Sequence, residues 1–173
     1  LHYAAEWQYA KAIKSVLAKG ADIHAKNANG ETPLFSAAKT NNPEIIQLIV
    51  NGGADLNARD NLGSSALHMA VRWDADKSVR KLISLGLNIN VQNSSGKSPL
   101  SDAVVAGKYE IARLLLQHGA DVNSIDTNGV TPIMDAIRAN SAETVALLLE
   151  YGANPNMQEV NGQNAYHEAA YMG

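Results

Sequence analysis

The 173-residue chain has 14 basic and 17 acidic side chains, a formal net charge of -3, and 46% apolar residues, a composition that excludes a disordered tail and a strongly basic nucleic-acid binder. It has no cysteine, which removes disulfides, thiolate zinc sites, iron–sulfur clusters and cysteine nucleophiles together and leaves either redox compartment open. Its apolar runs, such as Leu114-Leu115-Leu116, fall far short of the roughly 20 residues that cross a bilayer, so no membrane insertion is expected.

In chain order, residues 1–26 give a short helix and then a second helix closed by Gly20. From Thr32 the same pattern returns in full. A hydroxyl or amide residue (Thr32, Ser65, Ser98, Thr131, Asn164) precedes each first helix as an N-cap, and Pro33, Pro99 and Pro132 stand at the first helical position, where a missing N–H loses nothing and a fixed φ already suits the helix. The first helix is predicted to run about three turns. After a break, the second helix carries apolar pairs such as Ile45-Ile46 with Leu48-Ile49, and Leu114-Leu115 after Ile111, spaced as a buried stripe. Gly53, Gly86, Gly119 or Gly152 stops it, and a polar stretch containing Asn29-Gly30, Asn128-Gly129 or Asn161-Gly162 predicts a tight hairpin turn.

Two glycine ladders hold this pattern in register: Gly30, Gly63, Gly96, Gly129 and Gly162, and Gly20, Gly53, Gly86, Gly119 and Gly152, each with a spacing of 33. Around them run NGETPLFSAA, LGSSALHMAV, SGKSPLSDAV, NGVTPIMDAI and NGQNAYHEAA. The chain resembles the ankyrin-repeat family in period and in its Thr-Pro-Leu-His signature. The departures are modest: Ala66 and Ala165 replace the proline, and Phe35, Ser101 and Met134 replace the histidine.

The resemblance implies an all-α repeat solenoid with β-hairpin turns, a stack of helix-turn-helix units forming one domain over 1–173. The units are 1–26 (partial), 27–59, 60–92, 93–125, 126–158 and 159–173 (partial), and both ends look cut from a longer array. The pairs Ala37-Ala38, Ala103-Val104 and Ala169-Ala170 fall where first helices of the family approach closely. His2, His68 and His167 share one repeat position, to which the resemblance gives a backbone-tying role. Asp22, Asp55 and Asp121 read as turn residues. No catalytic, metal or cofactor motif occurs in the sequence, so no enzyme, cofactor or metal is expected.

Function is therefore expected on the surface that the family uses, the concave side made of hairpin tips and the exposed face of first helices. The expected partner is a protein, with no nucleic acid, and the chain is expected to be a monomer by itself, as a scaffold, inhibitor or effector in a compartment left open. The candidate binding residues are Trp7, Lys39, Arg59, Leu62, Arg72, Trp73, Asp102, Asp135 and Arg138. Trp73 with Arg72, Arg59 and Leu62 is the sharpest cluster, since exposed tryptophan beside arginine anchors protein interfaces; both tryptophans could equally lean on adjacent helices.

Asp102, Asp135 and Glu168 form an acidic column in the acidic half: residues 87–173 hold 4 basic and 9 acidic side chains, against 10 and 8 in residues 1–86. The column reads either as a docking strip for a basic segment or as a solvated face with Asp135 paired to Arg138. Two alternatives remain at this stage. Leu115 to Asn123 resembles the site that asparaginyl hydroxylases modify, at Asn123, and the units could be a recognition module attached to a catalytic or membrane domain outside this segment.

Overall fold

The structure, a computed structural model, describes residues 1–172; Gly173, at the end of the last partial unit, lies outside them. The helices fall on the 33-residue frame: α1 His2–Glu6, α2 Ala10–Ala18, α3 Pro33–Lys39, α4 Pro43–Asn51, α5 Ala66–Arg72, α6 Asp76–Ser84, α7 Pro99–Val105, α8 Tyr109–Gln117, α9 Pro132–Arg138, α10 Ala142–Glu150 and α11 Ala165–Met172. The odd-numbered, inner helices that open a unit span only seven residues from α3 to α9, about two turns rather than three. What ends them is a left-handed residue two places past the last helical one. Asn41, Asp74, Gly107 and Asn140 hold φ of 54°, 57°, 66° and 52°, which turns the chain back for the outer helix.

The chain forms two compact units, Leu1–Asn88 and Ile89–Gly173. In the first, the inner helices α1, α3 and α5 stack in series, the outer helices α2, α4 and α6 do the same, and each inner helix packs on the outer helix that follows it. In the second, α7, α9 and α11 form the inner series, α8 and α10 the outer. Close approach of inner helices needs small side chains, and Ala37, Ala38, Ala70, Ala103 and Ala136 are fully buried. Ala169 and Ala170 are exposed instead, because no inner helix packs on the far side of α11 among the described residues. Ile45, Ile46, Leu67, Leu82 and Leu115 fill the space between layers at 2% exposure or less, each contributing roughly 1.5–3 kcal/mol by burial.

The hairpin of each unit is a tight turn, and no strand forms among the described residues. Its geometry is set by the side chain that opens it. The Oδ1 atoms of Asn27, Asp60, Asn93 and Asp126 each accept from two backbone amides of the turn, as Asp60 does from Leu62 at 2.9 Å and Ser64 at 2.7 Å. Successive turns are tied by Asn61 N–H to Asn29 O (2.9 Å), Thr127 N–H to Ser95 O (3.1 Å) and Val160 N–H to Asn128 O (3.0 Å). The tips are therefore held in fixed rows, which rigidifies the surface they present.

The expected N-caps divide. Ser98 Oγ accepts from Ser101 N–H at 3.2 Å and Asn164 Oδ1 from Tyr166 N–H at 3.1 Å, whereas the buried hydroxyls of Thr32 and Thr131 have no hydrogen-bond partner. At α5 the histidine position does the work: buried His68 Nδ1 lies 3.1 Å from Ser65 N and 3.0 Å from Ser65 Oγ. His2 Nε2 lies 2.8 Å from Glu31 O, so this repeat position serves the backbone. Asp22, Asp55 and Asp121 each accept from the amide two residues on.

Candidate protein-binding surface

Trp73 is the residue that caps the C-terminus of α5, and Trp7 occupies the same place on α1. A side chain leaving a helix end points past the packed layer, and the two indoles are 60% and 65% exposed. Neither is wholly inside the fold, so each offers a large apolar area that folding does not use.

Trp73 is also held in place. Lys39 Nζ stands 5.8 Å from the centroid of its ring, within cation–π range. The same ammonium bonds Glu31 Oε1 and Oε2 at 3.2 and 3.1 Å. Glu31 is 5% exposed, and Asn27 Nδ2 donates to its Oε2 at 2.9 Å. A buried carboxylate thus fixes the ammonium, and the ammonium supports the indole. Lys39, expected on the open surface, is in fact a fastener.

Of the other residues expected around Trp73, Leu62 and Arg72 come together. They line a groove of about 370 Å³ with Glu31, Asp60, Asn61 and Met69. Leu62 sits at a turn tip, 63% exposed, and Arg72 Nη2 donates to Ser64 Oγ at 3.1 Å across the groove wall. Arg59 turns back on its own hairpin, its Nη1 donating to Gly63 O at 2.6 Å while its carbonyl accepts from Lys26 Nζ at 3.0 Å. It stiffens the tip and does not line the groove. Trp7 lies apart from this groove.

In the second unit, the expected pairing of Asp135 with Arg138 does not form. Asp135 Oδ2 takes Lys97 Nζ at 3.1 Å, and Arg138 Nη2 bonds both Glu159 and, at 2.7 Å, Glu168. The reason is geometric: the side chain of Arg138 extends toward the following unit, where two carboxylates converge. Glu168 is held below the usual carboxylate range by the hydrogen bond from Arg138. Asp135 moves the other way: burial raises it, and the nearby Lys97 ammonium only partly offsets the rise. Glu159, 9% exposed, stands where the earlier turns have Asn or Asp. Two of the three column carboxylates are therefore neutralised by cations of this chain, and Asp102 is half-buried at the equivalent place on α7. An open acidic strip is not what the fold presents.

The pairings made by Glu31, Lys97 and Glu159 were not expected from the sequence. Each lies at or beside a turn and meets a residue 8, 38 or 21 positions away, spacings that only the repeat geometry converts into contact. Asn123 has both ends of its amide engaged, donating to Gly152 O at 3.2 Å and accepting from Asn154 N–H at 2.8 Å. Among the described residues no group of three or more His, Asp or Glu could hold a metal ion, and no helix is long and apolar enough to cross a membrane.

Comparison with known proteins agrees with this geometry. A family model described as ankyrin repeats (3 copies) matches residues 1–93 and 100–173. Ankyrin repeat protein L271 of Acanthamoeba polyphaga mimivirus is 44% identical over 48 residues, a match spanning 28% of this chain and 7% of that protein. The crystal structure of the ankyrin repeat domain of Bcl-3, a member of the IkappaB protein family, is similar with a TM-score of 0.89 at 30% identity, over 99% of this chain and 79% of that one.

Proposed function

Because the chain belongs to the ankyrin-repeat family, whose repeats are generally noncatalytic protein–protein interaction modules, we propose that it binds a protein partner through the turn tips and inner-helix face of its first unit, with Trp73 as the anchor. The observation that carries this is the exposed indole, braced from one side by Lys39 and its partner Glu31, which itself lines the groove of Leu62, Met69 and Arg72. A rigid aromatic that loses little freedom on binding, beside a cleft able to take a side chain, is where binding energy concentrates. Leu62 forms the apolar lip of that cleft. The fixed rows of turns supply shape complementarity rather than energy. Scaffold, inhibitor and effector roles all use such a surface.

The test is capture of partners from extract of the native source, comparing the wild type with Trp73→Ala and Leu62→Ala, each checked for wild-type thermal unfolding. Loss of the same specific band in both folded variants is expected. A partner set unchanged in both overturns the assignment.

A further inference from the structure

The outer helices of the two compact units carry opposite charge. In the first unit, α2, α4 and α6 hold Lys11, Lys14, Lys77, Arg80 and Lys81 against Glu44 and Asp76. In the second, α8 and α10 hold Arg113 against Glu110, Glu143 and Glu150. Toward the inner side, cations are neutralised within the chain: Lys39 by Glu31, Lys97 by Asp135, and Arg138 by Glu159 and Glu168. The outer cations of the first unit have no carboxylate partner among the described residues, and Glu143 and Glu150 have no cationic one. Charge that the fold leaves uncompensated is available to another molecule.

Both sets are also shaped. Lys77, Arg80, Lys81 and Ser84 follow at three- and four-residue steps and so share one face of α6, where with Pro43 they line a groove of about 360 Å³. Glu143 and Glu150, two turns apart on α10, flank a second groove of about 360 Å³ with Tyr109, Ala146 and Leu147. This groove is walled by α8 and α10 together. Leu147 is 4% exposed and Tyr109 half-buried. A lysine or arginine entering it would lay its methylene stem on Tyr109 and Leu147 and set its charge between two carboxylates.

We propose that the outer face of the first unit docks on the outer face of the second unit of another copy of this chain, with Lys77, Arg80 and Lys81 seated at the groove of Glu143 and Glu150. The argument is charge complementarity with both surfaces in view. One chain carries an unpaired basic stripe and an unpaired acidic groove, and each repels its own kind, so opposite pairing alone is favourable and sets the register. Each copy offers both surfaces and can use both at once. Exposed pairs of this kind bind weakly and are screened by salt. The monomer expected from the sequence is then the form at low concentration.

The experiment is sedimentation velocity of the whole chain from about 10 μM to about 1 mM. Reversible self-association is expected at about 0.05 M salt, weakened about tenfold at about 0.5 M. Lys77→Glu, Arg80→Glu and Lys81→Glu together, and Glu143→Lys with Glu150→Lys, should each weaken it about tenfold while keeping wild-type thermal unfolding. Mixed in equal amounts, the two variants should associate again, because the intact groove of the first meets the intact stripe of the second. A misfolded chain could not give that recovery. Trp73→Ala should associate as the wild type does, so a failure here is separable from a failure of the inner-face site.

A single monomeric species over the whole concentration range overturns the proposal. So does association indifferent to salt or to either variant, or a mixture that fails to recover. Binding to vesicles of phosphatidylcholine and phosphatidylserine that the α6 variant loses, without self-association, would make an anionic membrane the occupant instead.

Discussion

Gly96 and Gly119 both lie in the second unit with positive φ, +75° and +86°, so alanine at either incurs the left-handed strain of about 1 kcal/mol. Only at Gly96 does the new methyl meet anything. It would fall 2.6 Å from Thr127 N and 2.8 Å from the carbonyl carbon of Asp126, whereas at Gly119 nothing lies within 4 Å. Backbone cannot rotate aside as a side chain does, so the neighbouring turn has to move away. That breaks the bonds from Thr127 N–H and Oγ1 to Ser95 O, 3.1 and 3.2 Å, and loosens Gln92 Nε2 on Ile125 O at 2.8 Å. Two to three partly solvated hydrogen bonds, with the lost contact, add about 2 kcal/mol. The expected destabilisation is about 1 kcal/mol for Gly119→Ala and about 3 kcal/mol for Gly96→Ala, read from urea midpoints at a common slope. Equal midpoints would refute the reasoning that turn-to-turn contact, rather than backbone conformation alone, requires glycine at position 96.

His68→Ala leaves the buried Ser65 N–H unpaired and opens a cavity at the start of α5; a loss of roughly 2–4 kcal/mol is expected in the same urea assay. Arg138→Met strands the carboxylate of buried Glu159 and is expected to lower the unfolding midpoint markedly, while Arg138→Met with Glu159→Gln should regain most of it; no regain would mean that the pair is inert. The pH response should separate the two acidic residues, measured as thermal midpoints from about pH 6 to about pH 3. Glu168, depressed by its bond from Arg138, contributes stability that is present above its unfolded pKa and lost as pH falls through the lower folded value, so Glu168→Gln should flatten the acid limb. Asp135, raised mainly by burial, gains stability as pH falls through its folded value, so Asp135→Asn should steepen that limb.

The helices and the turns were legible because each is a local event. Pro33, Gly119 and Asn29-Gly30 act within a few residues of themselves, and a period of 33 repeats the same local instruction until no other chain path fits. The exposure of Trp73 was one of two open readings, and its place one step past a helix end, seen only in the fold, decided between them. Partnership among charges did not follow. Whether Asp135 meets Arg138, three residues away on its own helix, or Lys97, 38 residues away, depends on how far apart stacked units stand and which way each long side chain leans. Likewise, Lys39 became a brace for Trp73, which another unit supplies. Sequence alone determined the repeating unit; tertiary structure decided which charges pair and which apolar edges stay exposed, because Coulombic and packing energies depend on through-space distance, which the repeat period leaves unstated.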